Sequence, residues 1–295
     1  VITGRFAPSP TGDLHVGNLR TGLLAFHSVK SVGGRFLVRF EDLDRVTSSR
    51  ERARQQLEDL AAIGVESDEE PVFQSDRFDL YQDAISDLER RGLTYECYCS
   101  RKEIREAAAA PHGEVTVYPG SCRDLSETER ARRGEERPAA LRLRADLVSH
   151  QFIDGFVGAY GGAVDDVVLR RNDGVPSYNV AVVVDDALQG VTEVVRGDDL
   201  LSITPSHMEL QRLLGLSTVT YRHVPLVVGT DGERLAKRHG AVTLRDLIGS
   251  GIEAVSVAAM LNEHCGVRDG DFSWSRVSHR RLVWDGDNFV RSDER

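Results

Sequence analysis

Apolar and polar residues change rhythm along this chain, and the changes predict most of its elements. Val1 to Ala7 reads as a buried strand, broken by Pro8, Pro10 and Gly12. From His15 to about Lys30 the apolar positions Leu19, Leu23, Leu24, Phe26 and Val29 recur at helical spacing, and Gly33-Gly34 stops them. Arg35 to Glu41 has period two, with Phe36, Val38 and Phe40 on one face and Leu37, Arg39 and Glu41 on the other. Two more helices are expected, from Ser49 to Ile63 and from Asp76 to Arg91. Gly64 and Gly92 stop them, and Ser75 or Asp76 caps the second.

Strand and helix therefore alternate over the first ninety residues, which favours a parallel sheet. From Glu96 to about Asn172 the character changes. Cysteines cluster, a charged stretch runs from Arg123 to Arg137, and short strand-like pieces follow, as in an insertion. Alternation resumes at Pro176: helix Tyr178 to Leu188, strand Val191 to Val195, helix Pro205 to Leu214, strand Tyr221 to Val228. Past Arg238 come helical pieces and an irregular polar tail, in which 269–295 carries no functional signal. The expected division is 1–95 and 175–228 for the two halves of the sheet domain, 96–174 for the insertion, and 229–295 for a loop and helical region. Two domains, or one with a large insertion, suit 295 residues.

A net charge of -10 argues against a generally basic nucleic-acid binder, while leaving room for a local basic surface. No run of eighteen apolar residues is present, so no membrane partner is expected. The first residues hold no basic-then-apolar leader, and four cysteines make no disulfide framework. A reduced, cytoplasmic setting is the expectation.

Three segments carry candidate chemistry. Arg5 to Asn18 joins a strand to a helix N-terminus, whose free N–H groups and positive dipole end suit a phosphate. Gly17 would let a base or ribose approach the backbone, and His15 would donate to phosphate oxygens as charge develops. Glu233 to Ala241 is a basic loop after the turn 229–232, with Lys237 within it. Cys97, Cys99 and Cys122 suit tetrahedral zinc if a fourth ligand exists, and His112 is the default on chemical grounds. Cys265 stands apart, as a buried or idle thiol.

Together these segments resemble a known family. Arg5 to Asn18 resembles the opening of glutamyl-tRNA synthetases, and His15-Val16-Gly17-Asn18 resembles the HIGH motif of class I synthetases. Valine replaces isoleucine there, and Asn18 replaces the second histidine. Glu233 to Ala241 resembles the KMSKS loop of glutamyl enzymes, with Lys237 as second lysine, Arg234 for the first and Ala236 for the serine. The pattern Cys97, Cys99, Tyr118, Cys122 resembles the zinc site of the glutamyl-queuosine tRNA(Asp) synthetases, where a tyrosine is the fourth ligand. The likeness runs from about Ile2 to Leu247.

The resemblance implies an α/β fold, the Rossmann-like parallel sheet of class I aminoacyl-tRNA synthetases, with an inserted zinc-bearing domain and a small helical C-terminal region. It implies activation of L-glutamate with ATP and Mg²⁺, without need of tRNA. Transfer from glutamyl-adenylate to the cyclopentenediol of queuosine in tRNA(Asp) then follows. His15, Gly17, Asn18 and Lys237 would hold ATP, with His15 and Lys237 catalytic. Arg5, Ala7, Ser9, Glu41, Tyr178 and Arg196 would hold glutamate, Arg5 as a bidentate carboxylate clamp and Glu41 on the ammonium. Without that role, Arg39 and Glu41 read as a surface ion pair. Zinc would be structural and the enzyme a monomer. Glutamyl-tRNA synthetases usually place asparagine four residues after the tyrosine. Here Val182 stands there, so altered glutamate handling is expected.

About fifty-five residues follow Gly240, short of a helical anticodon module, as in the glutamyl-queuosine branch. Two other readings stay open. One is a compact glutamyl-tRNA synthetase charging tRNA(Glu) or tRNA(Gln), against which the three cysteines and Tyr118 count. The other is a non-catalytic RNA-binding paralogue, against which retention of His15, Lys237 and the glutamate clamp counts.

Overall fold

Short parallel strands joined by helices build the frame, because each βα unit can bury its apolar stripe only by crossing over a sheet. The computed structural model describes residues 1–100, 102–104, 118–146, 148–233, 235, 237–240, 242–286 and 288–291, without the side chains of Lys237 and Arg291. The first half runs β1 (Thr3–Phe6), α1 (Val16–Lys30), β2 (Arg35–Phe40), α2 (Arg50–Ala62), β3 (Val72–Phe73), α3 (Phe78–Arg90). Next come β4 (Thr94–Cys97), β5 (Ala140–Leu143), β6 (Ser149–Asp154), β7 (Gly158–Ala163) and β8 (Val168–Arg170). After helix Tyr178–Leu188 the chain adds β9 (Glu193–Gly197), helix Thr204–Leu213, β10 (Thr220–Val224) and β11 (Val227–Gly229).

The main sheet has the order β10-β9-β1-β2-β3, and every pairing in it is parallel. Such a sheet is covered on both faces. In β2, Leu37 and Arg39 are as buried as Phe36 and Phe40, so Arg39 is no surface ion pair. The β4–β5–β8 sheet and the β6–β7 hairpin are antiparallel. Leu141, Leu143 and Leu169 share one core with Ile85 and Leu88 of α3 and with Val180 to Val184.

Other boundaries move for local reasons. α3 begins at Phe78 without a side-chain cap, because Ser75 is engaged with Asp42. β9 starts two residues late, since Val191 still closes the preceding helix and Thr192 bonds to Thr3. The expected strand Tyr221 to Val228 splits at Pro225, which has no N–H to give, and the Pro225 carbonyl takes Arg20 Nη1 at 3.1 Å.

The tail is not irregular. Helices Leu244–Gly249 and Ala254–His264 pack on the sheet domain, and strand Leu282–Trp284 pairs parallel with β11 and antiparallel with Phe289–Arg291. Trp284 is fully buried, as is Cys265. No helix of the described residues is long and apolar enough to cross a membrane.

Candidate active site

The strand order reverses between β1 and β9, and open α/β sheets bind ligands at such a point, beyond the strand C-termini. β1 delivers Arg5 and Ala7 there, β2 delivers Glu41, and β9 delivers Arg196. α1 brings Gly17 and Asn18, with His15 as its N-cap, and helix Tyr178–Leu188 brings its first residue. These eight residues line one cavity of about 400 Å³. Ser9 lies outside it, on two neighbouring grooves. Lys237 opens a short 3₁₀ turn to His239, while its side chain, with Arg234, Ala236 and His112, lies outside the described residues.

A buried ionic cluster floors the cavity. Asp186 Oδ1 accepts from Arg5 Nε at 3.1 Å and from Arg39 Nη1 at 2.8 Å. Asp185 accepts from Arg77 Nε at 2.8 Å, Tyr81 Oη at 2.7 Å and Gln74 Nε2 at 3.1 Å. Arg5 and Arg39 hold the Asp186 carboxyl below its ordinary range despite its burial. Arg196 differs. It is 6% exposed and donates to His223 Nε2 (3.0 Å), His207 Nδ1 (3.2 Å), Tyr178 Oη (3.4 Å), Thr204 Oγ1 (2.8 Å) and the Leu200 carbonyl (3.4 Å). None of these partners is a carboxylate. Burial, helped by Arg196, keeps His207 well below its ordinary range and therefore neutral. Burial pushes the Glu41 carboxyl up to about 7, against the pull of Arg39 and Arg5. Four guanidinium groups thus face the carboxyl groups of Asp185, Asp186 and a Glu41 that titrates near neutrality. The surplus positive charge invites an anionic ligand.

The other end of the cavity is built for close approach. His15 Nδ1 accepts the Asn18 backbone N–H at 3.2 Å, so a neutral ring carries its proton on Nε2. A Cβ on Gly17 would meet Val227 at 3.2 Å, and one on Gly197 would meet Leu226 at 2.7 Å. Sequence reasoning missed Thr21, Gly197, Asp199, Leu226, Val227 and Leu235 as cavity lining. The Gly197-Asp198-Asp199 run at a strand's C-terminal end was the available signal.

The cysteines of the insertion converge. Cys97, Cys99 and Cys122 place their sulfurs within 4.8 Å of one another. Tyr118 Oη lies 3.3 Å from Cys97 Sγ and 3.6 Å from Cys99 Sγ, and Cys99 and Cys122 Sγ are 3.5 Å apart. Tetrahedral zinc with bonds of about 2.3 Å separates its sulfurs by about 3.8 Å, so these donors fit it. Burial raises the Cys99 thiol to about 12, whereas at Cys122 the Tyr98 backbone N–H and the Tyr118 hydroxyl overcome burial and lower the thiol, so the site already favours one thiolate and a bound cation would draw the proton from Cys99. The Arg142 guanidinium stacks on the Tyr118 ring at 3.8 Å. Cys97 and Cys99 also line a second cavity of about 720 Å³, which shares Glu41 and Tyr178 with the first.

Residues 1–260 match the family model for tRNA synthetases class I (E and Q), catalytic domain. The chain belongs to this family. As a class I synthetase it is a ligase of the aminoacyl-tRNA synthetase type, with glutamate-tRNA-ligase-like activity. Among its relatives, a glutamyl-Q tRNA(Asp) synthetase from Nocardia farcinica is 56% identical over 265 residues, 90% of this chain and 85% of that protein. A glutamate–tRNA ligase 1 from Alkalilimnicola ehrlichii is 41% identical over 250 residues, 82% of this chain but 52% of that protein. A crystal structure of glutamate-tRNA synthetase from Elizabethkingia anophelis superposes with a TM-score of 0.81 at 24% identity, covering 96% of this chain and 68% of that one. That likeness shows the shared class I synthetase fold.

Proposed function

We infer that this class I synthetase activates L-glutamate with ATP, without tRNA, and transfers it to the cyclopentenediol of queuosine in the anticodon of tRNA(Asp). One observation carries the first half: a buried Arg196 with no carboxylate partner among the described residues shares a cavity with Arg5, Glu41, Tyr178 and the His15-capped helix. In this reading Arg196 and Arg5 meet the two carboxylates of glutamate, and ionised Glu41 with Tyr178 meets the ammonium. The α-carboxylate attacks the ATP α-phosphorus in line, the bond from that phosphorus to the bridging oxygen breaks, and pyrophosphate leaves; the queuosine hydroxyl later attacks the adenylate carbonyl and AMP leaves. His15 Nε2–H and Lys237 meet the charge that gathers on the phosphates, beside the open N-terminus of α1. Positioning and electrostatics supply the acceleration, and no covalent enzyme intermediate forms. Mg²⁺ accompanies ATP as its counter-ion.

The acceptor half rests on the likeness to the glutamyl-Q tRNA(Asp) synthetase of Nocardia farcinica, matched over most of its length. The cavity beside the cysteines, continuous with Glu41 and Tyr178, is the proposed entry for the nucleoside. Zinc, held by Cys97, Cys99, Cys122 and Tyr118, would act as a cross-link within the insertion at 96–174. The working form is a cytoplasmic monomer. The likeness to a glutamate–tRNA ligase favours a second reading, charging of tRNA(Glu).

ATP–pyrophosphate exchange tests the activation step. Exchange that requires glutamate and proceeds without RNA is expected. Exchange that needs RNA, or that aspartate and glutamine drive equally well, contradicts it.

A further inference from the structure

Arg196 owes its placement to a chain of contacts that begins in the inserted β-hairpin. A guanidinium only donates hydrogen bonds, so the Nε2 of His223, 3.0 Å from Arg196 Nε, must present a lone pair. Neutral His223 then carries its proton on Nδ1, and Nδ1 lies 2.6 Å from Asp154 Oδ2. Asp154 ends β6, and its side chain is fully buried, like that of His223. Its Oδ1 is held by the backbone N–H groups of Phe156 (2.9 Å) and Val157 (2.8 Å), which fix the carboxylate in one pose. The hairpin is tied to β10 by Gly155 N–H to the Tyr221 carbonyl at 2.8 Å and by Arg222 to the Gly155 carbonyl at 2.7 Å. His207 repeats the pattern on the other side. It accepts from Arg196 at Nδ1, so its Nε2–H donates to Asn179 Oδ1 at 3.0 Å.

We propose that Asp154 and His223 are positioning residues for glutamate: the Asp154 carboxylate fixes the Nδ1–H tautomer of His223, which alone lets His223 accept from Arg196 and aim it at the substrate carboxylate. The insertion thereby reaches the amino-acid pocket through the tautomer of one ring, 69 residues away in sequence. This rests on the reading of Arg196 as a glutamate ligand.

The substitution Asp154→Asn separates this role from simple packing. The Phe156 and Val157 N–H groups keep the amide oxygen at the Oδ1 position, so the amide nitrogen takes the Oδ2 position. It then donates to His223 Nδ1, and the ring proton moves to Nε2, against the Arg196 N–H. His223→Gln supplies a carboxamide oxygen that accepts from Arg196 whatever residue 154 is. ATP–pyrophosphate exchange is measured for the wild type, both single variants and the double variant, with nitrogen–proton NMR of the histidine rings and thermal unfolding of each.

D154N is expected to raise the KM for glutamate about tenfold or more while the KM for ATP moves less than about twofold. In the H223Q background the same change should move the glutamate KM less than about twofold. The NMR should find the His223 proton on Nδ1 in the wild type and on Nε2 in D154N. Equal effects in both backgrounds, equal changes in both KM values, or a wild-type proton on Nε2 would overturn the proposal. If the wild type shows no glutamate-dependent exchange, the glutamate reading fails, and the tautomer in D154N still decides the relay.

Discussion

At the scale of single residues, the site depends on unequal pairing of charge. Glu41 titrates near 7 because burial outweighs its arginine neighbours. Only its ionised form holds an ammonium group, so protonation competes with glutamate. The sign follows: the KM for glutamate should rise as pH falls, by about tenfold between pH 8 and pH 6, and Glu41→Gln should flatten the profile at a high KM. A flat wild-type profile contradicts this role. Asp186 holds two buried guanidinium groups on one oxygen. Asp186→Ala leaves both without an ionic partner there and should cost about 3–5 kcal/mol in urea unfolding. An unchanged midpoint would show that Arg5 and Arg39 find other anions. The ends of this cluster were legible in sequence, because Arg5, Glu41 and Arg196 stand where strands end. The partners of Arg196 were not. His207, Thr204 and His223 come from other elements, 8 to 27 positions away, and no local period announces them.

At the scale of elements, helices with a long apolar stripe were legible almost to the residue. Helix Tyr178–Leu188 has its expected ends, with Pro176 before it and Gly190 after it. The tail strands Leu282–Trp284 and Phe289–Arg291 span three residues each and are too short to show a period of two, so they read as irregular. They matter because Leu282–Trp284 holds β11, which feeds the Lys237 turn. Removing the fully buried indole with Trp284→Ala should cost about 3–5 kcal/mol in urea unfolding and slow adenylate formation. Full stability in that variant would mean that the tail contributes nothing to the core. The cysteine cluster ties β4 to the segment at Tyr118 and Cys122. Purified protein is expected to release about one zinc per chain to a strong chelator, losing RNA transfer while keeping glutamate-dependent exchange. Metal analysis that finds no zinc would leave Cys97, Cys99, Cys122 and Tyr118 as a hydrogen-bonded cluster instead.

At the scale of the whole molecule, two cavities meet at Glu41 and Tyr178: one behind the β1–β9 switch point, the other open beside the cysteines. That arrangement lets an adenylate made in the first be attacked by a hydroxyl entering through the second, which is the order of events the proposed reaction needs. The parallel sheet was legible from strand–helix alternation. The joining of the cavities was not, because it depends on how the β4–β5–β8 sheet sits against helix Tyr178–Leu188. The most direct test is transfer of labelled glutamate from ATP to purified tRNA(Asp) with and without queuosine, with tRNA(Glu) alongside. Label on the queuosine-containing tRNA(Asp) alone is the predicted result. Label on tRNA(Glu), or equal label on tRNA(Asp) lacking queuosine, would contradict it.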